Sequence, residues 1–456
     1  MILRNALLEL QHWKNSPNRK PLIIRGARQV GKTTLVNELG KEYDNYLYFN
    51  LDEYENKELL KNAKRFEDVL TLLFLAKGVK RDDATTLIFL DEIQEIPPLI
   101  PMLRYFYEKA KDIHVIAAGS LLEHVLGDVD NFPVGRVSYM MLHPLNFEEY
   151  LRALQLEQLL IKLNEIPLDP IATSLLFDAF HKFALVGGMP EIVSNYSTRQ
   201  DINDCMSVYE AIIYSYQNDT LKYAKNLRQV NILTHILQNV AAVADQRISF
   251  EGFANSSFRS QDVKDAMMEL EKAKIIQLIY PTHEFQPPAI PDKKVKPRLQ
   301  YLDTGLMNFS LGIQQEFLTV NDLNDLYRGK IIQHLVTQEY NASHFAPLFK
   351  PMFWVREKKS SNAEVDLLCS FEKYLIPVEV KSGATGRLKS LMMFIDQCNH
   401  SFAVRLYKGP LLVQDVITPA GKPFTLLNLP YFLACKLDLY IQYYFKDLSP
   451  KSPVNH

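Results

Sequence analysis

The sequence is poor in the features that mark several protein classes. It has four cysteines in 456 residues, Cys205, Cys369, Cys398 and Cys435, far apart and without a CxxC pair. That argues against a disulfide framework or a cysteine zinc site and suits reduced core thiols in a cytoplasmic protein. No apolar run reaches the roughly 18 residues of a membrane span, because the stretch Leu426–Phe445 is broken by Asn428, Pro430, Lys436 and Asp438. Met1 to Asn5 open without the apolar core of a signal peptide. The expectation is a soluble chain with no membrane contact. Positive charge is not in excess either: 51 Lys and Arg stand against 53 Asp and Glu, a net charge of −2. Without a global basic field, any nucleic-acid contact needs a local patch.

What is present is an ordinary folded composition, 47% hydrophobic and 23% charged, and a length that predicts roughly two to four domains. The chain is organised around Leu22 to Leu35, an apolar strand, a glycine-bounded loop and a helix. The spacing Gly26-xxxx-Gly31-Lys32-Thr33 predicts a P-loop. Gly26, Ala27, Arg28, Gln29, Val30 and Gly31 would turn successive N–H groups toward a phosphate, with the helix start adding its positive end. Lys32 would reach the β- and γ-phosphates of ATP, Thr33 would hold Mg²⁺, and Thr34 would complete the cradle.

Ile2 to Trp13 read as a short amphipathic helix, and strands are expected at Tyr46–Asn50, Thr86–Leu90 and His114–Ala118, alternating with helices as in a parallel sheet. The second of these strands ends in Asp91-Glu92. Carboxylates at the carboxyl end of a central strand lie beside bound phosphates, so Asp91 is expected to bind Mg²⁺ through water and Glu92 to polarise the attacking water. Ser120, after the next strand, is placed to sense the γ-phosphate.

The segments GARQVGKTTL, LDEIQ and AAGSLL, the pair Gly135-Arg136, the run His143 to Tyr150 and Gly187-Gly188-Met189-Pro190 together resemble bacterial and archaeal AAA+-type ATPases that carry a C-terminal domain of unknown function. The resemblance implies that Arg136 senses nucleotide state during hydrolysis and that Pro190 relays that state to the next domain. Helical periodicity follows from Tyr150 to about Asn226. Residues 227–281 read as three helices and a strand, the order of a winged helix, but the presumed recognition helix mixes Lys264, Lys272 and Lys274 with Asp262, Asp265, Glu269 and Glu271. That mixture is a weak match to DNA.

Pro287 to Pro297 read as a linker, and Tyr301 to Leu306 match the family's lead-in to its last domain. There Glu379 and Lys381 lie two apart on a strand and share a face, and Asp366 on the preceding strand of a hairpin can join them. This resembles the PD-(D/E)xK nuclease core, with Asp366, Glu379 and Lys381 as catalytic residues and a second divalent metal at Asp366 and Glu379. The family's opening helix commonly supplies a further acid, where this chain has Gln333, a weaker ligand for a hard cation. Glu339, six positions on in the same helix, is expected to point elsewhere unless the register differs, and Glu364, which alternates with Asp366 on one face, is a candidate to compensate.

The expected fold is α/β: a P-loop core (1–150), a helical lid (151–226), a winged helix (227–285), a linker and lead-in (286–328) and a nuclease-like domain (329–456). The expected function is ATP binding and slow hydrolysis controlling the C-terminal half, as a switch or DNA-associated factor, with an active metal-dependent DNA nuclease as the alternative. Candidate partners are DNA, a second copy of the chain or another protein.

Overall fold

The structure, a computed structural model, describes residues 2–63, 65–82, 84–120, 122–125, 133, 135–224, 226–314, 330–358, 361–384 and 386–446. Leu121, Phe132, Val134 and Gly329 of the segments read above, together with 315–328 of the lead-in, lie outside them.

The amino-terminal part is a parallel five-stranded sheet in the order β2-β3-β4-β1-β5, with β1 at Leu22–Arg25, β2 at Asn45–Asn50, β3 at Thr86–Asp91, β4 at Ile113–Ala118 and β5 at Ser138–Met141. β3 is apolar without interruption from Leu87 to Leu90 because helices cover both faces, and all six of its residues are buried. Ile23, Phe49, Ile88 and Val115 pack on one side and Ile24, Leu35, Phe89 and Ile116 on the other. β5, only four residues long and half-buried at its start, lacked a readable strand pattern.

Five helices follow, at Phe147–Ala153, Glu157–Asn164, Thr173–Val186, Pro190–Arg199 and Met206–Tyr223. Two more, Leu227–Asn239 and Ser260–Lys272, precede the antiparallel ribbon β6 (Ile276–Ile279) and β8 (Arg298–Tyr301). The expected third helix does not form. Gly252, Ala254 and Asn255 all take positive φ and leave only a single 3₁₀ turn. The linker span also carries more structure than its prolines imply: β8 is buried at every residue, and Thr304–Ser310 is a helix.

The last part is a seven-stranded sheet ordered β13-β14-β12-β11-β10-β9-β7, built from β7 (Pro281–Thr282), β9 (Met352–Lys358), β10 (Ser361–Phe371), β11 (Tyr374–Val380), β12 (Phe402–Tyr407), β13 (Leu412–Ile417) and β14 (Pro423–Pro430). Lys330–Ala342, Lys389–Gln397 and Leu437–Phe445 are helices packed with it. Beyond β14 the chain turns back onto the helix Thr173–Val186, where the Tyr431 hydroxyl meets His181 at 2.6 Å and the Phe432 ring lies edge-on to Phe177. The apolar stretch Leu426–Phe445 is therefore core. One continuous apolar cluster runs from Leu145 to Phe445, and among the described residues no helix is long and apolar enough to cross a membrane.

Two buried carboxylates join these parts. Asp303 caps the helix Thr304–Ser310 by accepting from Leu306 N, and it also accepts from Gly188 N (2.6 Å) and Gln338 Nε2 (3.3 Å). Gly187 has φ +77, and a Cβ there would lie 2.2 Å from Asp303 Oδ1, so glycine is required. Glu339 accepts from Phe147 N at 2.9 Å, at the start of a helix that already has an Asn146/Glu149 capping box. Burial pushes the Glu339 carboxyl up to about 8, against the lowering effect of the Phe147 N–H.

A carboxyl raised in the folded state favours folding when protonated, and that advantage is lost as pH rises from the ordinary carboxylate range through about 8. Relative to Glu339→Gln, the wild type should therefore lose stability across this range, by at most on the order of 4 kcal/mol. Urea unfolding of both proteins at pH 5, 6.5 and 8 checks this. Parallel curves would show that Glu339 does not titrate there.

Candidate nucleotide site and C-terminal carboxylate cluster

The parallel sheet collects its functional residues at one edge because β1, β3 and β4 all end there. Ile24 pairs with Ala118 and Leu90 with Ala117, so the loop after β1, Asp91-Glu92 after β3 and Gly119-Ser120 after β4 are neighbours. The loop itself turns through Gly26 (φ +156), Gln29 (φ +64) and Gly31 (φ +93). A Cβ on Gly26 would lie 2.3 Å from the Leu142 carbonyl oxygen. The loop is braced from outside: Arg4 donates to Val30 O and to His143 O, both at 2.8 Å, and ion-pairs with Glu149 at 3.0 Å.

Ala27 and Val30 are buried, so they contribute backbone only. Lys32 is buried with its ammonium donating to Gly26 O (3.1 Å) and Ala27 O (2.9 Å). Burial lowers its pKa, opposed by Glu92 and Asp91. Thr33 Oγ1 donates to Asp91 Oδ2 at 2.6 Å, and burial raises the Asp91 carboxyl despite that bond. Glu92 takes a left-handed conformation (φ +52), and its Oε2 accepts from Gln94 Nε2 (2.6 Å), Ser120 N (3.3 Å) and Ser120 Oγ (3.4 Å). Gly119 makes room for this, since a Cβ there would lie 2.1 Å from Gln94 Oε1.

Above the loop is a cavity of about 470 Å³. Arg28, Gln29, Lys32, Thr33, Thr34 and Glu92 line one side, while Pro190, Glu191 and Ser194 line the other with Ile2 and Arg4. Pro190 opens its helix at a position where it loses no hydrogen bond. The glycine cradle, the two cations Lys32 and Arg28, and the hard oxygen pair Thr33/Asp91 fit a nucleotide phosphate with Mg²⁺.

Arg136 is placed differently. It precedes β5, whose Ser138 pairs with Leu22 at the start of β1, so it lies at the sheet edge opposite the loop, half-exposed and paired with Glu108 at 3.1 Å. It does not line the cavity. Ser120 is not among the residues lining the cavity and meets it through its hydrogen bonds to Glu92. Arg4, Glu191 and Ser194 left no sequence signal, since each acts through a contact distant in the chain or through an ordinary residue type, and Gln94 entered only as the last residue of LDEIQ, without a role.

In the C-terminal sheet, Asp366, Glu379 and Lys381 do come together. Asp366 Oδ2 accepts from Val380 N (2.8 Å), and Lys381 Nζ donates to Glu379 Oε1 (2.6 Å). Burial raises both carboxyls, each further raised by a neighbouring carboxylate. Gln333 is drawn into the cluster, its Nε2 donating to Asp366 Oδ1 at 2.9 Å. Glu364 does not compensate for the missing acid. It is taken by Arg298, a buried arginine that also donates to Asp366 O at 2.8 Å, and it lies 3.9 Å from Arg247. Glu339 points to Phe147 instead. Among the described residues no three metal-ligating side chains converge. Both Asp366 oxygens already accept hydrogen bonds, and the group facing them from the helix is an amide donor, so the cluster does not fit the second divalent metal expected at Asp366 and Glu379.

Residues 18–151 match the family described as AAA domain. Residues 177–316 match a domain of unknown function, DUF8612, and residues 328–419 another, DUF4143. The amino-terminal module is thus an AAA-type, ATPase-like P-loop domain. No curated protein matches the chain. Among solved structures the chain is similar to the Walker-type ATPase paby2304 of Pyrococcus abyssi, with 15% identity over 68% of this chain and 96% of that one and a TM-score of 0.44. It is also similar to the Aeropyrum pernix ORC1 protein in complex with DNA, at 11% identity over 70% and 95% with a TM-score of 0.29. AMPPCP-bound DnaA from Aquifex aeolicus is similar at 13% over 59% and 87%, with a TM-score of 0.24.

The C-terminal cluster makes its own prediction. Gln333→Glu places a third carboxylate against Asp366 and Glu379, so without metal the variant should melt several degrees below wild type. Mn²⁺ should restore it while leaving the wild-type Tm unchanged. A wild-type Tm that rises with Mn²⁺ would show that the native cluster binds metal.

Proposed function

We propose that this chain binds ATP and hydrolyses it slowly at residues 26–34, and that nucleotide state controls its C-terminal half as a switch. The carrying observation is the convergence of Lys32, the Thr33/Asp91 pair and the Ser120-held Glu92 around one cavity at the carboxyl edge of the sheet. In this reading Lys32 exchanges the two loop carbonyls for phosphate oxygens, and Thr33 and Asp91 hold Mg²⁺, which when bound neutralises phosphate charge. Glu92, kept in place by Ser120 and Gln94, accepts the proton of the attacking water. Arg136, at the opposite edge, would act only on a neighbouring copy's nucleotide.

The domain reading is part of the proposal: a P-loop core (1–150), a helical lid (151–226), a winged helix (227–285), a linker and lead-in (286–328) and a nuclease-like domain (329–456). Support for switching is the route from the cavity through Pro190 and Gly188 to Asp303, then Gln338 and Gln333 on one helix, and finally Asp366. The alternative, a metal-dependent DNA nuclease, is supported by the gathering of Asp366, Glu379 and Lys381 but weakened by the donating Gln333 amide. DNA contact through the helix Ser260–Lys272 is weakened too, because its acids hold nearby cations: Asp262 with Arg228 and Arg259, Glu269 with Lys272, and Glu271 with Lys350.

Nucleotide titration and phosphate release test the reading together. Lys32→Ala should weaken ATP binding by at least about 10-fold, and Glu92→Gln should keep binding while slowing turnover by about 100-fold or more. Equal turnover in wild type and Glu92→Gln would remove Glu92 from catalysis. Mn²⁺-dependent DNA cleavage that Asp366→Asn abolishes would make the alternative the function.

A further inference from the structure

We propose that Arg28 reads the γ-phosphate from within the loop itself, and that Asp219 holds its guanidinium in reserve when no third phosphate is present. The inference rests on reading residues 26–34 as an ATP site.

The side chain leaves the loop between the two glycines and lines the same cavity as Lys32, Thr33 and Glu92. Its Nη1 lies 2.8 and 2.9 Å from the two oxygens of Asp219, a buried carboxylate on the helix Met206–Tyr223. That pairing uses one guanidinium nitrogen, whereas the planar fork can present two to a phosphate. The main chain of the loop is held independently, because Tyr216 on the same helix donates to Arg28 O at 2.9 Å. The side chain is therefore able to change partner without the loop losing its shape.

Stripping Arg28 from a buried carboxylate would ordinarily be costly. Here Asp219 has a second cation, Lys222, at 3.4 Å on the same helix. The exchange leaves Asp219 paired and gives Arg28 a more highly charged anion. Lys32 keeps the β-phosphate as a partner in both ADP and ATP, whereas a guanidinium drawn from Asp219 would contribute only when the third phosphate is present. The helix that gives up Arg28 also carries Tyr209, whose hydroxyl donates to Val186 O at 2.7 Å, one residue before the Gly187-Gly188 turn held by Asp303. Release of Arg28 would thus loosen the helix that supports that turn.

The test is the affinity of the full chain for ATP and ADP, each measured by calorimetry with Mg²⁺, in wild type, Arg28→Ala, Arg28→Lys and Asp219→Asn, with circular dichroism as the folding check. Arg28→Ala should weaken ATP by roughly 10- to 100-fold and ADP by less than about 3-fold. Arg28→Lys should fall between, and Asp219→Asn should strengthen ATP relative to ADP by several-fold. If Arg28→Ala does not fold, the Arg28→Lys and Asp219→Asn ratios decide. Loss of ATP and ADP affinity in equal measure, or an unchanged ratio in every variant, would overturn the inference and leave Arg28 a structural clamp. Failure of the wild type to bind either nucleotide would overturn the ATP reading and this inference with it.

Discussion

Asp303 is a carboxylate with essentially no solvent exposure that serves three pieces of the chain at once. It caps the helix Thr304–Ser310, accepts from the Gly188 amide in the turn before the Pro190 helix, and accepts from Gln338 on the helix Lys330–Ala342. Burial raises its carboxyl to about 6, against the amides of Gly188, Leu306 and Gly305. The packing around it leaves no room for a side chain at Gly187 or at Gly305, where a Cβ would come within 2.1 Å of the Val186 carbonyl oxygen. Three donors from different segments converging on one buried carboxylate tie the turn, the cap and the helix into one relation.

That relation gives the molecule its layout. On one side of the turn, Pro190, Glu191 and Ser194 face the P-loop across the cavity. On the other, the helix bearing Gln338 also bears Gln333, which reaches Asp366, and Glu339, which holds Phe147. One apolar cluster draws residues from Leu145 to Phe445 and so joins the helices after β5 to the C-terminal sheet, while the parallel sheet keeps its own clusters on its two faces.

The parts legible in the sequence were those whose chemistry is written in local spacing. The P-loop follows from glycine positions that set backbone dihedrals, the Asp91-Glu92 pair from an apolar strand's end, and the meeting of Asp366, Glu379 and Lys381 from strand alternation. The absence of a global basic excess agrees with the internally paired charges on the helix Ser260–Lys272. What could not be read was long-range. Arg28 and Asp219 are 191 residues apart and Phe147 and Glu339 192 apart, and neither pairing leaves a periodic trace. Glu364 alternated correctly with Asp366, yet a buried arginine from β8 claimed it, and β8 itself was hidden behind a proline-rich loop. The third helix expected in residues 227–281 fails at Gly252, Ala254 and Asn255, whose positive φ leaves only a 3₁₀ turn, a local backbone effect that the helix count did not register.

The account stands on communication between the P-loop edge and the Asp366 cluster through Asp303 and the helix Lys330–Ala342. Amide hydrogen exchange with and without ATP and Mg²⁺ measures this most directly. The account predicts altered protection at Gly188, along the helix Lys330–Ala342 and at Val380, whose N–H is held by Asp366, in wild type but not in Lys32→Ala. Changes confined to the loop and the ends of β3 and β4, with Gly188 and Val380 unmoved, would contradict it.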